Sequence, residues 1–140
     1  VRDFTSWLPV DLAFQNLDKE LAELAAKYSH IFLADLEVDG TKTPVGIVAL
    51  YDLGTDAVGR KRCEMKRLYV SPKGRGFQVG EALCTALMAA AKEAGYSVMV
   101  LDTLARLPHA VALYRRLVFQ EYAPYYHNPE PNVIYMEKTL

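Results

Sequence analysis

The segment that decides the fold is Val70-Ser71-Pro72-Lys73-Gly74-Arg75-Gly76-Phe77-Gln78-Val79-Gly80-Glu81-Ala82-Leu83. A β-prone run over 63–70 leads into a turn rich in glycine and basic residues, and that turn leads into a pattern with helical periodicity. A helix that begins directly after such a turn presents backbone N–H groups without intrahelical partners, and its dipole adds positive potential at the same end. The junction therefore predicts an anion site, most often one for phosphate. Lys73 and Arg75 are placed to add charge to that site.

Two common phosphate loops do not match this turn. It lacks the Walker-type Gly-x-x-x-x-Gly-Lys-Ser/Thr loop, and it lacks the dinucleotide fingerprint Gly-x-Gly-x-x-Gly. Arg75–Gly80 instead resembles the Arg/Gln-x-x-Gly-x-Gly/Ala pyrophosphate loop of the GNAT-type acyl-CoA N-acyltransferases. The flanks resemble that family as well, from Glu64–Val70 before the loop to Ala110–Tyr114 and Val118–Phe119 after it. The likeness extends from about Phe32 to Leu140.

The resemblance implies that acetyl-CoA is the co-substrate and that the turn holds its pyrophosphate through backbone N–H groups. The strand that ends at Val70 would offer its free edge to the pantetheine arm, which would pair much as an added strand does. The residues expected to bind the cofactor are Leu68, Tyr69, Val70, Arg75, Gly76, Phe77, Gln78, Val79, Gly80 and Glu81. In the alternative interpretation, the glycine-rich turn only connects a strand to a helix.

Three positions depart from the family pattern. Gln78 replaces the central glycine of the loop, Leu107 stands where many members have an asparagine, and Val118 replaces a glycine. A Cβ at Gln78 would crowd the pyrophosphate, or would be harmless if the residue has an ordinary helical φ. We expect the harmless case, with Gln78 in the first helical turn and its side chain directed outward. Replacing it by glycine should then change cofactor affinity little, at some cost in helix stability.

The first half of the chain predicts a helix followed by a meander of strands. Apolar residues at helical spacing predict a helix over about 12–27, with Asp11 as its N-cap. Two β-prone runs, 30–38 and 45–53, flank an Asp-Gly pair and predict an antiparallel hairpin. A third strand is expected over 62–70, antiparallel to its predecessor.

The second half alternates helices and strands. A period of 3.6 predicts a helix from Val79 that ends at Gly95, and a second core helix over 107–117. The strands expected here are 97–101, fully apolar as in a parallel position, then about 119–125 and 133–138. The fold class is α+β: a mixed, mostly antiparallel central sheet, GNAT-like, with helices on both faces. The resemblance implies that the parallel strands splay apart to admit the cofactor.

The start of the chain differs from such a domain, which opens with a strand and a helix. We interpret 2–8 as the tail of the first helix, with the first strand absent or trimmed. A chain of 140 residues has the length of one domain. We therefore expect a single GNAT-like domain over 1–140.

Two residues are candidates for catalysis. Tyr114 lies at the general-acid position that the resemblance implies, and a phenol can protonate or hydrogen-bond the departing thiolate. The alternative is a core tyrosine on an apolar helix face. Glu64 is the candidate base, because an alkylammonium acceptor must lose a proton before it attacks. Period two places Glu64, Lys66, Leu68 and Val70 on one face, so a salt bridge from Lys66 to Glu64 is the competing interpretation.

The acceptor pocket is expected where family members often build it, in the loop between the last two strands. Tyr125, Tyr126 and His127 lie in that loop, and Phe14 on the first helix is a further candidate. His127 is a possible pH-sensitive base, and a surface position is the alternative. The three histidines and two cysteines show no metal-ligand spacing, so no metal site is predicted.

Composition limits the partners of the chain. The net charge is −1, which gives no overall field that favours nucleic acid or an anionic membrane. No apolar run has the length of a transmembrane helix. Cys63 and Cys84 suit free thiols in a reducing cytoplasm, and Cys84 falls within an apolar helical pattern. A homodimer is compatible with the sequence.

The function that follows from these residues and the resemblance is acetyl transfer from acetyl-CoA to a primary amine of a small molecule or a peptide. Both substrates would bind together, and the amine would attack the thioester directly. The alternative is a non-catalytic CoA-binding or regulatory module on the same fold. The acceptor itself is not encoded in any spacing of the sequence.

Overall fold

The computed structural model of the chain describes residues 2–3, 26–74, 76, 78–125 and 132–140. Its strands are β1 (Arg2–Asp3), β2 (His30–Val38), β3 (Thr41–Thr55), β4 (Lys61–Val70), β5 (Val98–Leu104), β6 (Gln120–Glu121) and β7 (Val133–Thr139). Its helices are α1 (Val79–Glu93) and α2 (Pro108–Arg116), with a 3₁₀ turn at Pro72–Gly74.

Within these residues the strands form one sheet in the order β1-β2-β3-β4-β5-β7-β6. Every neighbouring pair is antiparallel except β4 and β5, which are parallel. The predicted mixed, mostly antiparallel sheet is therefore confirmed.

The β2–β3 hairpin forms where the sequence predicts it. Val38 pairs with Thr41, so the loop consists of two residues, Asp39 and Gly40. Both have positive φ, 51° and 78°, as a type I′ turn requires. β3 is longer than predicted, because the ladder continues on both sides of the 45–53 run.

Helices α1 and α2 pack on the same face of the sheet. The main core joins the sheet residues Val48, Leu50, Cys63 and Met65 to residues of both helices. The helix residues with the least exposure in this core are Leu83, Cys84, Leu87, Ala91 and Tyr114. Burial of Cys84 confirms its predicted core position.

The opposite face of the sheet carries a smaller cluster of Tyr28, Ile31 and Ala49. The helix predicted over 12–27 lies outside the described residues except for Ala26 and Lys27, which are helical. Tyr28 follows them directly and is buried on this face.

Helix α1 begins in close contact with β3. A Cβ built at Gly46 would lie 2.8 Å from Leu83 Cδ1 and 2.9 Å from Val79 Cγ1. Contacts this short do not occur for real side chains, so the absence of a side chain at Gly46 lets the first turn of α1 rest on the strand. This packing fixes where the N-terminus of α1 lies relative to β4.

Two predicted elements are corrected. Arg2 and Asp3 form a strand paired with Leu33 and Phe32 of β2, so the interpretation of these two residues as a helix tail was wrong. Two residues carry too little periodicity to show that the edge of β2 would pair with them. The strand predicted over 119–125 is reduced to β6, because Pro124 has no N–H group to donate to a ladder.

Candidate active site

The candidate active site is a cleft between the two parallel strands. β4 and β5 pair only over Arg62–Glu64 and Val98–Val100, although both strands continue beyond these residues. The strands therefore separate, as predicted, and leave a cleft of about 490 Å³. Its walls include Met65, Leu68, Thr103, Leu107, Ala110 and Tyr114.

A β-bulge turns β4 away from β5. Lys66 pairs with Ala49 and Tyr69 pairs with Ile47, so two residues, Arg67 and Leu68, stand opposite the single residue between those partners. Arg67 adopts φ 62°, in the left-handed region. The expectation that Glu64, Lys66 and Leu68 share one face was wrong, because the bulge reverses the alternation and Leu68 packs on the core that contains Met65.

The N-terminus of α1 lies beside the end of β4, the strand whose residues Met65–Leu68 line the cleft. The first intrahelical hydrogen bond runs from the Ala82 N–H to the Gln78 carbonyl oxygen, at 3.1 Å. The N–H groups of Val79, Gly80 and Glu81 precede that bond and are the first donors of the helix without an intrahelical acceptor. Together with the helix dipole these donors would suit an anion, so the strand–turn–helix junction is confirmed and the anion site at it stays a prediction.

Gln78 corrects one expectation about the loop. It has φ 56° and ψ 31°, which is left-handed, and it precedes the helix as its N-cap. The predicted ordinary helical φ was therefore wrong, whereas the side chain is exposed, as expected. A left-handed backbone explains why glycine suits this position. Replacing Gln78 by glycine should relieve backbone strain, which reverses the sign of the expected stability change.

The remaining cofactor candidates divide between the loop and the end of β4. Gly76 has φ 87°, and Arg75 and Phe77 lie outside the described residues. Leu68 is half-buried in the cleft wall, and Tyr69 is exposed.

The end of β4 meets the start of α1 directly. A Cβ at Gly80 would lie 3.7 Å from Val70 Cγ2 and 3.3 Å from Leu113 Cδ2. Because that Cβ would point into packed side chains, only the backbone of Gly80 is available to a ligand. The Glu81 carboxylate lies 3.8 Å from Arg116 Nη2 on α2, which offsets its negative charge beside an anion site.

Tyr114 lies in the wall of the cleft and also belongs to the main core. Its ring packs edge-on against Phe119, with centroids 6.0 Å apart. Burial raises the pKa of its phenol, and the charges of Cys84 and Asp102 raise it further. The phenol is therefore protonated at neutral pH and has a proton to donate in a hydrogen bond.

Glu64 is buried on the face opposite α1. The Tyr125 hydroxyl donates to Glu64 Oε2 at 2.5 Å, and Lys66 Nζ lies 3.5 Å from Glu64 Oε1. The salt bridge that the sequence allowed is thus present. Because Glu64 is only 3% exposed, proton transfer to it from a bound amine would pass through Tyr125 or a water molecule.

The acceptor candidates are only partly described. Tyr125 contacts Glu64 and packs edge-on against Tyr135, with centroids 5.5 Å apart. Phe14, Tyr126 and His127 lie outside the described residues.

Among the cleft residues that sequence reasoning missed are Lys27, Tyr28, Arg67 and Asp102. One signal for Arg67 was present, because the apolar positions of β4 change phase between Met65 and Leu68. A change of phase within a strand indicates a bulge.

The comparisons with known proteins agree with this geometry. The model of the acetyltransferase (GNAT) family matches residues 2–119. An uncharacterized N-acetyltransferase of Schizosaccharomyces pombe is 43% identical over 143 residues, which cover 100% of this chain and 84% of that protein. The chain belongs to the GNAT family of acetyltransferases, which confirms the resemblance read from the loop and its flanks.

Solved structures show the same fold. An acetyltransferase from Streptococcus agalactiae superposes with a TM-score of 0.68 at 20% identity, covering 97% of this chain and 82% of that one. A GNAT family acetyltransferase from Elizabethkingia anophelis, solved with acetyl-CoA bound, superposes with a TM-score of 0.68 at 16% identity, covering 99% of this chain and 96% of that one. Within the described part of the chain, no helix is long and apolar enough to span a membrane.

Proposed function

We propose that this protein is an acetyl-CoA-dependent N-acetyltransferase, which transfers an acetyl group to a primary amine of a small molecule or a peptide. Both substrates would bind in a ternary complex, and the amine would attack the thioester directly. The observation that carries the proposal is the cleft between β4 and β5, with the first N–H groups of α1 beside the end of β4 and Tyr114 in the cleft wall.

The shape of the cleft fits a long thioester with an anionic end. The donors at Val79, Gly80 and Glu81 suit a pyrophosphate. β4 has no ladder partner on its β5 side beyond Glu64 in the described chain, so that edge is available to an amide-bearing arm. The expected path runs from the N-terminus of α1 along this edge to Tyr114.

The reaction requires few groups from the protein. The amine nitrogen forms a bond to the acetyl carbonyl carbon, the carbon–sulfur bond breaks, and the amine loses one proton. A backbone N–H near Leu68 or Tyr69 would polarise the carbonyl. The Tyr114 phenol would protonate the departing thiolate and regain its proton from solvent, while the proton lost by the amine would pass through the general base to solvent. No covalent enzyme intermediate is involved.

Three groups compete for the role of general base. Glu64 would act through the Tyr125 hydroxyl, which it already contacts. His127 and a water molecule are the other two candidates. The pH dependence of kcat/KM in Glu64→Gln and His127→Gln separates these candidates. Replacing the true base should abolish the fall of kcat/KM at low pH, whereas replacing the other residue should leave that fall in place.

The cofactor site can be tested with two nearly isosteric substitutions of Gln78. Asparagine and aspartate both tolerate left-handed φ, so Gln78→Asn and Gln78→Asp differ mainly in one negative charge at the anion site. We expect Gln78→Asp to bind acetyl-CoA at least tenfold more weakly than Gln78→Asn in calorimetry, because its carboxylate repels the phosphates. Equal acetyl-CoA affinities of the two folded variants would show that this turn does not bind the pyrophosphate.

The same preparation distinguishes an enzyme from a binding module. Release of free thiol in the presence of a panel of primary amines supports the proposed transfer. Binding of acetyl-CoA without thiol release from any amine would support the non-catalytic alternative.

A further inference from the structure

The wall of the cleft on the face opposite α1 is rich in cations. Lys27, Lys66 and Arg67 all line the cleft beside Tyr28. Tyr28 belongs to the cluster on that face, and both Lys27 and Arg67 contact it. The anion site at α1 lies on the other face, so these cations are not part of the proposed pyrophosphate cradle.

Arg67 is held in the wall by two constraints. The bulge fixes its backbone at φ 62°, and its Nε donates to the Tyr28 hydroxyl at 3.3 Å. This bond uses one of the five N–H donors of the guanidinium, and within the described residues neither terminal nitrogen has a hydrogen-bond partner. Among the described residues, no carboxylate lies within ion-pair distance of Arg67.

The other two cations differ in their partners. Lys27 Nζ lies over the Tyr28 ring, 5.5 Å from its centroid, and also has no carboxylate partner in the described chain. Lys66 is already paired with Glu64. Within the described residues, two positive charges without a carboxylate partner are therefore gathered around Tyr28, while Asp102 on β5 contributes a carboxylate to the opposite wall.

We propose that the acceptor is an amine that also carries a carboxylate, as a free α-amino acid does, and that Arg67 binds this carboxylate with support from Lys27. The inference rests on the proposed N-acetyltransferase function and names its acceptor class. A guanidinium with both terminal nitrogens available matches a carboxylate in bidentate geometry. The amino end of the same molecule would lie toward the β5 wall, across the cleft from Arg67.

The cations also favour the reactive form of the acceptor. An alkylammonium has a pKa of about 10.4 in water, and a nearby positive charge disfavours its charged form. Binding of the carboxylate by Arg67 and Lys27 would thus hold the amine where its neutral, nucleophilic form is more populated.

The first test compares acceptors that differ only in the carboxylate. The panel consists of the free L-amino acids, the corresponding amino acid amides, and phosphoethanolamine, each assayed with acetyl-CoA for thiol release. We expect at least one free amino acid to exceed its own amide at least tenfold in kcat/KM. Amides that equal the acids, a preference for phosphoethanolamine, or no turnover with any free amino acid would overturn the inference.

The second test replaces the cations. With the preferred amino acid, Arg67→Gln should raise KM at least tenfold, Arg67→Lys should raise it less, and Lys27→Gln should raise it about threefold. The KM for the matching amide should not change. Arg115→Gln, on an exposed arginine of α2, is the control for loss of one positive charge.

The outcomes of the variants also separate this inference from the proposed function. If Arg67→Gln lowers activity on acids and amides equally, Arg67 only maintains the bulge and the inference fails. Acetyl-CoA affinity should be unchanged in every variant. Failure of the parent protein to bind acetyl-CoA would overturn the proposed function itself.

Discussion

Tyr114 belongs both to the main core and to the wall of the candidate active site. Its ring is buried among apolar side chains, and the residue also forms part of the wall of the cleft. Burial raises the pKa of the phenol, so the hydroxyl keeps its proton across the physiological range. The proposed catalytic role requires this hydroxyl to reach the cleft, where it would stabilise the negative charge that develops on the leaving thiolate.

Tyr114→Phe removes the hydroxyl and keeps the ring. We expect kcat to fall by about 10–100-fold with little change in acetyl-CoA affinity, because the hydrogen bond to the thiolate forms only as the carbon–sulfur bond breaks. Steady-state kinetics and calorimetry on the same preparation measure both quantities.

Tyr96→Phe is the matched control, since Tyr96 is a buried tyrosine of the same core that is not among the cleft residues. It should change stability without changing kcat. If Tyr114→Phe retains turnover and has a lower melting temperature, Tyr114 has only a structural role in the core.

At the scale of the element, the two helices end in the same motif with different residues. In α1 the Tyr96 N–H donates to the Ala91 carbonyl and the Gly95 N–H to the Lys92 carbonyl. In α2 the Phe119 N–H donates to the Tyr114 carbonyl and the Val118 N–H to the Arg115 carbonyl. Both are Schellman motifs, which require a left-handed residue at the position of Gly95 and Val118.

Val118→Gly should therefore stabilise the protein. Val118 has φ 70°, a costly conformation for a β-branched residue, and its side chain is 63% exposed, so little packing is lost. Relief of about 1–2 kcal/mol of strain exceeds the added entropy of glycine in the unfolded chain, and we expect a net gain of about 0.5–1 kcal/mol in the free energy of unfolding. Urea denaturation measures this gain.

Gly95, which follows α1, provides the reciprocal control for Val118→Gly. Gly95→Val should destabilise the protein by a similar or larger amount, because Gly95 has φ 94°. If Val118→Gly instead lowers the free energy of unfolding, the exposed valine makes contacts that outweigh the strain of its backbone.

These elements also show which parts of the structure were predictable from the sequence. The Asp39-Gly40 hairpin and the helices from Val79 and near Tyr114 follow from local patterns, and the structure confirms them. The strand–turn–helix junction was predictable too, because it depends on one continuous stretch of sequence, whereas anion binding at it stays a prediction.

The positively charged wall of the cleft, which Lys27, Lys66 and Arg67 form, was not predicted. It depends on contacts between residues far apart in the chain. The hydrogen bond from Arg67 to Tyr28 joins residues 39 positions apart. It also depends on a bulge that a strict period of two does not allow. The contact between Tyr125 and Glu64 was also missed, because these two residues lie 61 positions apart in the chain.

At the scale of the whole molecule, one core joins both helices to the sheet, and it contains both cysteines. Cys63 Sγ lies 3.5 Å from the Val98 carbonyl oxygen, and Cys84 Sγ lies 3.6 Å from Met65 Sδ. Both thiols are free and fully buried. Burial raises the pKa of each to about 12, from an ordinary value of 9.0.

The raised thiol pKa values predict a loss of stability in alkali. In the unfolded chain each thiol loses its proton near pH 9, whereas in the folded protein it keeps the proton to about pH 12. Above pH 9 the folded state therefore binds more protons than the unfolded state, and the free energy of unfolding falls as pH rises. Each thiol should contribute a slope of about 1.4 kcal/mol per pH unit once its unfolded form is ionised. Tyr114 adds to this loss only above about pH 10, because its unfolded phenol ionises there.

Urea denaturation of the parent and of the double variant Cys63→Ala/Cys84→Ala is measured at pH 8, 9 and 10. The comparison separates the contribution of the thiols from that of other groups that titrate in alkali. The double variant is expected to be less stable at pH 8, because it loses two buried sulfur atoms from the core. Its stability should nevertheless fall less steeply between pH 9 and pH 10, so the difference between the two proteins should narrow. Parallel curves across this range would show that the thiols are not the groups whose protonation couples to folding.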